Sequence, residues 1–161
     1  MMNATDQLAA VLWEADRHIE TLADALVEWD KIPVTDMPTV EADRGHVRLT
    51  DQLLFRFIKL QDALGERLVP VTLTGLAEPF EDRPLLDRLN RLEKLGFLDV
   101  DNWLAWREVR NRLEHEYPDR PELRFAALLA AIEAARGVAA LYRQWRQRLE
   151  TSGLLNPGRP Q

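Results

Sequence analysis

The sequence has no cysteine and only three histidines in 161 residues. Without cysteine there is no disulfide scaffold, no thiolate zinc site, no iron–sulfur cluster and no thiol nucleophile. Its absence also fits a reducing compartment. Long apolar runs are missing too. The longest nearly uninterrupted one, Phe125 to Ile132, meets Glu133 and is too short to span a bilayer. The first residues, Met1 to Gln7, lack a basic region, and Glu14 and Asp16 interrupt the apolar positions that follow. These absences predict a cytoplasmic protein with no membrane partner. Positive charge is also short: 21 Lys+Arg stand against 27 Asp+Glu, a net charge of −6. That balance excludes a protein that coats nucleic acid or membrane by bulk charge.

What is present is helical periodicity. Charged residues make up 30% and hydrophobic residues 46%, a globular composition long enough for one domain with a real core. Leu8, Val11, Leu12, Ala15, Ile19, Leu22, Leu26 and Trp29 recur at steps of three and four, and Pro33 and Pro38 follow. A second helix is expected after Thr50 as N-cap, through Leu53, Phe57, Leu60, Leu64 and Leu68, ending before Pro70. A short third begins at Asp82-Arg83-Pro84 and closes at Gly96. The fourth opens near Asp99 or Asp101 and is stopped by Pro118. The fifth opens at Asp119-Arg120-Pro121 and runs through Leu149, roughly 40 Å at 1.5 Å per residue. Nothing reads as a strand. The expected fold is all-α: an antiparallel bundle of four main helices with one additional short helix, in a single domain over 1–150. A flexible tail over 151–161 and long connections over 31–48 and 70–81 complete the reading.

One segment departs from ordinary bundle sequence. Trp103, Trp106, Arg110, Leu113 and Tyr117 are spaced three, four, three and four, which puts an arginine in line with aromatic and apolar side chains. A buried arginine needs an anionic or aromatic partner. Snorkelling to the edge of the stripe, or stacking on Trp106, would serve that need without any function. His115 lies five positions further, about 140° round the helix, one turn after Asn111. Arg110, Asn111, His115 and Tyr117 are thus gathered at one helix end. Of the other histidines, His18 reads as a boundary residue and His46 as part of a charged loop.

Arg110-Asn111-Arg112-Leu113-Glu114-His115-Glu116-Tyr117 resembles the motif of HEPN domains. That motif is an arginine, a polar residue, a short gap, a histidine and, in one branch, a tyrosine two further on. The branch is the HepT-like toxins, also called nucleotidyltransferase substrate-binding proteins. The resemblance implies a small helical bundle with the motif before the last helix. It implies a metal-independent endoribonuclease in which RNA is cleaved through its own 2′-hydroxyl, with Arg110 and His115 catalytic and Asn111 supporting. It further implies a homodimer that faces two motifs across one cleft, for which Trp103 and Trp106 would suit the interface. The partner it implies is a minimal nucleotidyltransferase antitoxin, with Tyr117 as the site where AMP is added to neutralise the toxin.

The residue chemistry is consistent with that expectation. Histidine titrates near neutral pH and serves either proton transfer, and arginine's planar fork matches phosphate oxygens. No metal or other cofactor is expected, since Glu114, His115 and Glu116 are adjacent and diverge around a helix. One departure counts against catalysis. The position before the histidine is often small or apolar in this group, whereas Glu114 can pair with Arg110 and compete with a phosphate. This leaves open the alternative of a non-catalytic substrate-binding or regulatory subunit of a nucleotidyltransferase complex.

Overall fold

The computed structural model describes residues 2–155, and among them the chain is all-helical with no strand. Helix α1 spans Ala4–Asp30 and begins where the Asn3 side chain accepts the Asp6 N–H at 2.8 Å. A short α2, Met37–Glu41, and then α3, Arg44–Asp62, follow. A π-helical turn, Ala63–Leu68, joins α3 without a break to α4, Val69–Gly75. The remaining helices are α5 (Leu85–Lys94), α6 (Val100–Arg112) and α7 (Pro121–Thr151).

Several expected boundaries move. The second predicted helix starts at Arg44, not after Thr50, because Asp43 caps it by accepting the His46 N–H at 3.1 Å. Thr50 is interior and its hydroxyl donates back to the Val47 carbonyl. His46 is therefore in the first turn of a helix and not in a loop. Nor does this helix stop before Pro70. The wide turn at Ala63–Leu68 changes the register of the ladder just ahead of the proline, whose missing N–H falls in the first turn of α4. The long connection over 31–48 thus holds α2 and the start of α3, and that over 70–81 is helical to Gly75. The expected flexible tail over 151–161 begins inside α7. Thr151 is that helix's last residue and Leu154 and Leu155 pack on the core, while 156–161 lie outside the described residues.

Two boundaries fall where the sequence puts them. Asp99 caps α6 by accepting the Asn102 N–H at 2.9 Å. Gly96, with φ +86°, supplies the left-handed residue that ends α5.

Ion pairs fix the directions in which the helices run. Glu14 in α1 receives two hydrogen bonds from Arg67, at 2.6 and 3.0 Å, while His18 one turn later meets Arg56 at 3.0 Å. The α3 run is therefore antiparallel to α1. Asp30 holds Arg136 at 2.6 Å, and Asp16, earlier in α1, holds Arg146 further along α7, so α7 also runs against α1. Between α3 and α6, Gly65 faces Trp103 and Asp62 faces Arg110, again antiparallel. Inside, Trp145, Tyr142, Phe57, Leu53 and Leu60 are fully buried. The two polar ends among them have partners. Trp145 Nε1 donates to Thr72 Oγ1 at 3.1 Å, and the Tyr142 hydroxyl donates to Asp16 Oδ1 at 2.5 Å. Burial, and then the Asp16 carboxylate, push the Tyr142 phenol above its ordinary pKa. In the α1–α3 seam, burial and then the Arg56 charge pull the His18 imidazole below its ordinary pKa.

Helix α7 is long and apolar enough to cross a membrane by length and composition, yet half of that apolar window is buried inside the chain's own packing. Its small residues let α6 approach closely. A Cβ at Gly137 would fall within the indole of Trp106. Gly137→Ala is therefore expected to lower stability by about 1–3 kcal/mol, overpacking outweighing alanine's better helix propensity. Urea unfolding followed by far-UV circular dichroism checks this, and an unchanged or raised midpoint would contradict the packing described.

Candidate functional site

The end of α6 is built differently from the way an unbroken helix to Pro118 would build it. The helix stops at Arg112, and three tight i to i+3 bonds follow: Leu113 N–H to Arg110 O, Glu114 N–H to Asn111 O and His115 N–H to Arg112 O. Arg124 of α7 then clamps the loop. Its Nη1 donates to the carbonyls of Tyr117 (2.7 Å) and Pro118 (3.0 Å), and its Nη2 reaches Glu41 of α2 at 2.6 Å. These two carbonyls, which a helix running to Pro118 would also have left without an intrahelical partner, are satisfied by this guanidinium. Tyr117 consequently does not return to the face of Arg110 by helical periodicity.

The four sequence-predicted residues separate into two pairs. Arg110 and Asn111 line a cleft of about 290 Å³ together with Gln61, Asp62, Gly65, Glu66, Trp103 and Arg107. His115 and Tyr117 line a neighbouring hollow of about 430 Å³, among Glu41, Asp51, Glu116 and Arg124. His115 is exposed and Tyr117 half-buried. The second hollow thus carries three carboxylates against one arginine and the histidine, a field that opposes an approaching phosphate.

Arg110 finds the anionic partner that its position demands, and the main one is Asp62. Nε and Nη2 of Arg110 donate to the two Asp62 oxygens at 3.1 and 3.2 Å, while Nη1 reaches Glu114 at 3.5 Å. The Arg110 side chain is 25% exposed and that of Glu114 is 74% exposed, so Asp62 is the tighter and drier partner. Hydrogen bonding to Asp62 raises the Arg110 pKa further above its already high ordinary value. A guanidinium has five N–H donors. Two go to Asp62 and one to Glu114, so two remain for another ligand.

The two tryptophans beside the motif serve the chain itself. Trp103 is 3% exposed in the core and Trp106 packs on Gly137, so Trp103 is not available to the dimer interface suggested for it. Among the described residues no three His, Cys, Asp or Glu side chains gather closely enough to hold a metal ion. No family model, no curated protein and no solved structure matches the chain.

Sequence reasoning missed Asp62, Gln61, Glu66 and Arg124. For Gln61 a signal was present. Phe57, Gln61, Leu64 and Leu68 are spaced four, three and four, so the glutamine occupies a position in an apolar stripe. In the fold Gln61 is 3% exposed, and neither Oε1 nor Nε2 finds a partner in the chain. Leaving a buried carboxamide unmatched costs about 1–3 kcal/mol. Gln61→Leu, similar in shape and apolar, is therefore expected to raise the thermal midpoint by several degrees, measured by calorimetry. A lowered midpoint would mean that the carboxamide is satisfied within the fold.

Proposed function

We propose that the chain is a metal-independent endoribonuclease with a four-helix HEPN-like bundle, the toxin of a toxin–antitoxin pair whose other member is a minimal nucleotidyltransferase. It acts in the cytoplasm as a homodimer. The observation that carries the reading is the order Arg110-Asn111, His115, Tyr117 at the α6 terminus, with Arg110 keeping two N–H donors uncommitted and His115 exposed. In the reaction, His115 takes the proton of a ribose 2′-hydroxyl as that oxygen attacks the adjacent phosphorus. The bond from phosphorus to the 5′-oxygen breaks, and His115 of a second copy protonates the departing oxygen. Arg110 neutralises the extra charge on the pentacoordinate phosphorus, and Asn111 supports the alignment. The products are a 2′,3′-cyclic phosphate and a 5′-hydroxyl, and no metal takes part.

A second reading is favoured by one observation, the two-pronged hold of Asp62 on Arg110. With that arginine engaged and carboxylates around His115, the chain would instead be a non-catalytic subunit presenting substrate or a regulatory surface to the nucleotidyltransferase. Cleavage of a short RNA in the presence of a chelator separates the two. On the ribonuclease reading His115→Ala and Arg110→Ala each lower the rate, the former by about 10²–10⁴-fold. Glu114→Gln raises it by removing a competitor for the phosphate. Absence of cleavage by both the native protein and Glu114→Gln, with harmless expression in cells, would overturn the ribonuclease reading.

Tyr117 is the residue we assign to neutralisation. Adding AMP there puts a phosphate and an adenosine in the hollow that His115 shares, which blocks RNA by charge and by volume. Intact-mass measurement after incubation with the partner and ATP is expected to show a nucleotidyl-sized gain that Tyr117→Phe abolishes. A gain that persists in Tyr117→Phe would move the modification elsewhere.

A further inference from the structure

Two exposed aromatic residues and three cations without carboxylate partners meet where α1 lies against α3. Trp13 is 63% exposed and Phe55 51%, and they are the two aromatics left exposed among the described residues. Each has cations over its ring. The Arg17 guanidinium lies 4.6 Å from the centre of the Trp13 ring, and Arg56 and Lys59 stand 5.5 and 5.6 Å from that of Phe55. The two groups join through His18, which follows Arg17 in α1 and whose Nδ1 is 3.0 Å from Arg56 Nη1. Among the described residues Arg17, Arg56 and Lys59 enter no ion pair, unlike the arginines that bridge helices elsewhere. Glu14, 3.7 Å from His18, already has both oxygens on Arg67. Singly, an exposed aromatic or an unpaired surface cation is ordinary. Linked by contacts across two helices, these five make a surface.

We propose that this face binds single-stranded RNA, with bases stacked on Trp13 and Phe55 and phosphates on Arg17, Arg56 and Lys59. The proposal extends the reading of the chain as an RNA-cleaving protein and rests on it for the identity of the strand as RNA. Aromatic rings interleaved with cations suit unpaired bases, because every base has a flat π-face and every nucleotide brings a negative phosphate. An acidic protein would engage the cations and leave the rings unused. The span fits a few nucleotides. Five residues of α1, about 7.5 Å of rise, separate Trp13 from the His18–Arg56 contact, and packed helix axes stand about 8–10 Å apart. Exposed carboxylates bound the patch on one side, Glu20 about one turn beyond Arg17 and Asp51 about one turn before Phe55. The chain's net charge of −6 does not forbid a short strand here, since exposed charges more than about 10 Å away are largely screened. Helix α3 also carries Asp62 at the Arg110 cleft and Asp51 at the His115 hollow. A strand on this face therefore has one helix diameter, about 10 Å, to cross before it reaches them.

Fluorescence anisotropy with the purified full-length protein tests this, using a labelled mixed-sequence 2′-O-methyl RNA strand that cannot be cut through its 2′-oxygen. Trp13→Ala and Phe55→Ala, each shown to be folded by circular dichroism, are expected to weaken binding about five- to a hundredfold. Arg17→Gln and Lys59→Gln should each flatten the slope of log affinity against log salt by about 0.7. A duplex of the same sequence should bind more weakly than the strand, because its bases are already stacked. No binding, an affinity unmoved by both aromatic variants, an unaltered salt slope, or equal binding of strand and duplex would overturn the proposal. Displacement of the strand by poly-glutamate as readily as by unlabelled strand would give the face to an acidic protein instead. Cleavage of ordinary RNA in chelator distinguishes this failure from failure of the ribonuclease reading. Binding that depends on these residues, without cleavage, keeps the face and removes the ribonuclease. Cleavage with a KM unmoved in Phe55→Ala and Lys59→Gln removes the face and keeps the ribonuclease.

Discussion

The widening of one helical turn at Ala63–Leu68 sets the positions of most of what surrounds it. The run from Arg44 to Gly75 is one continuous helical segment, and a π-helical turn inserts an extra residue into its ladder. Before the turn, Gln61 and Asp62 face α6. Within it, Gly65 gives way to the Trp103 indole while Arg67 points to Glu14 on α1. After it, Thr72 meets the Trp145 indole nitrogen in the core. A regular α-helix over the same residues would rotate each later side chain by about 100°. The contacts to α1 and α7 would then not coexist with those to α6. The same turn lets the segment pass Pro70, whose ring would otherwise oppose the carbonyl four residues back.

Charge follows from that geometry. The chain carries net negative charge, and five of its 27 carboxylates hold arginines that bridge helices: Glu14 with Arg67, Asp16 with Arg146, Asp30 with Arg136, Glu41 with Arg124 and Asp62 with Arg110. These are arginine forks, most with two N–H groups engaged, rather than lysine point charges. Arg110 belongs to this set by geometry. It lines an open cleft, with donors to spare beside Asn111 and Arg107. A carboxylate that orients a guanidinium while leaving part of its fork outward pre-positions it for a second anion and adds no mobile parts.

The helices and the Asp99 cap were legible in the sequence, because the three-and-four spacing of apolar residues and a capping aspartate act locally; the Asp43 cap acts as locally but was passed over for Thr50. At Arg110 and in the loop before α7, a distant partner had overruled a local rule. Pro70 and Pro118 were both taken as stops. The first is passed by the wide turn, and the helix ahead of the second ends at Arg112, well short of it, where Arg124 takes up the loop carbonyls. Arg110's need for an anion was readable from its stripe, but Asp62, 48 residues away, was not. The helix-periodic placement of Tyr117 failed for the same reason. Gln61 was readable in principle as a polar residue in an apolar stripe, and only its burial gives it weight.

The separation of Arg110 from His115 into two hollows constrains any reaction that uses both. Helix α6 ends between them, and the turn after it is held by the Arg124 clamp on α7. For a scissile phosphate to contact Arg110 of one copy and an imidazole on each side, the imidazoles must come from chains placed symmetrically about it. A two-fold axis near the α6 terminus meets that demand, because it sets each cleft beside the other copy's hollow. Such a dimer would also bring Glu114 and Glu116 of both copies close together. Their mutual repulsion would oppose such a dimer unless a cationic group came between them.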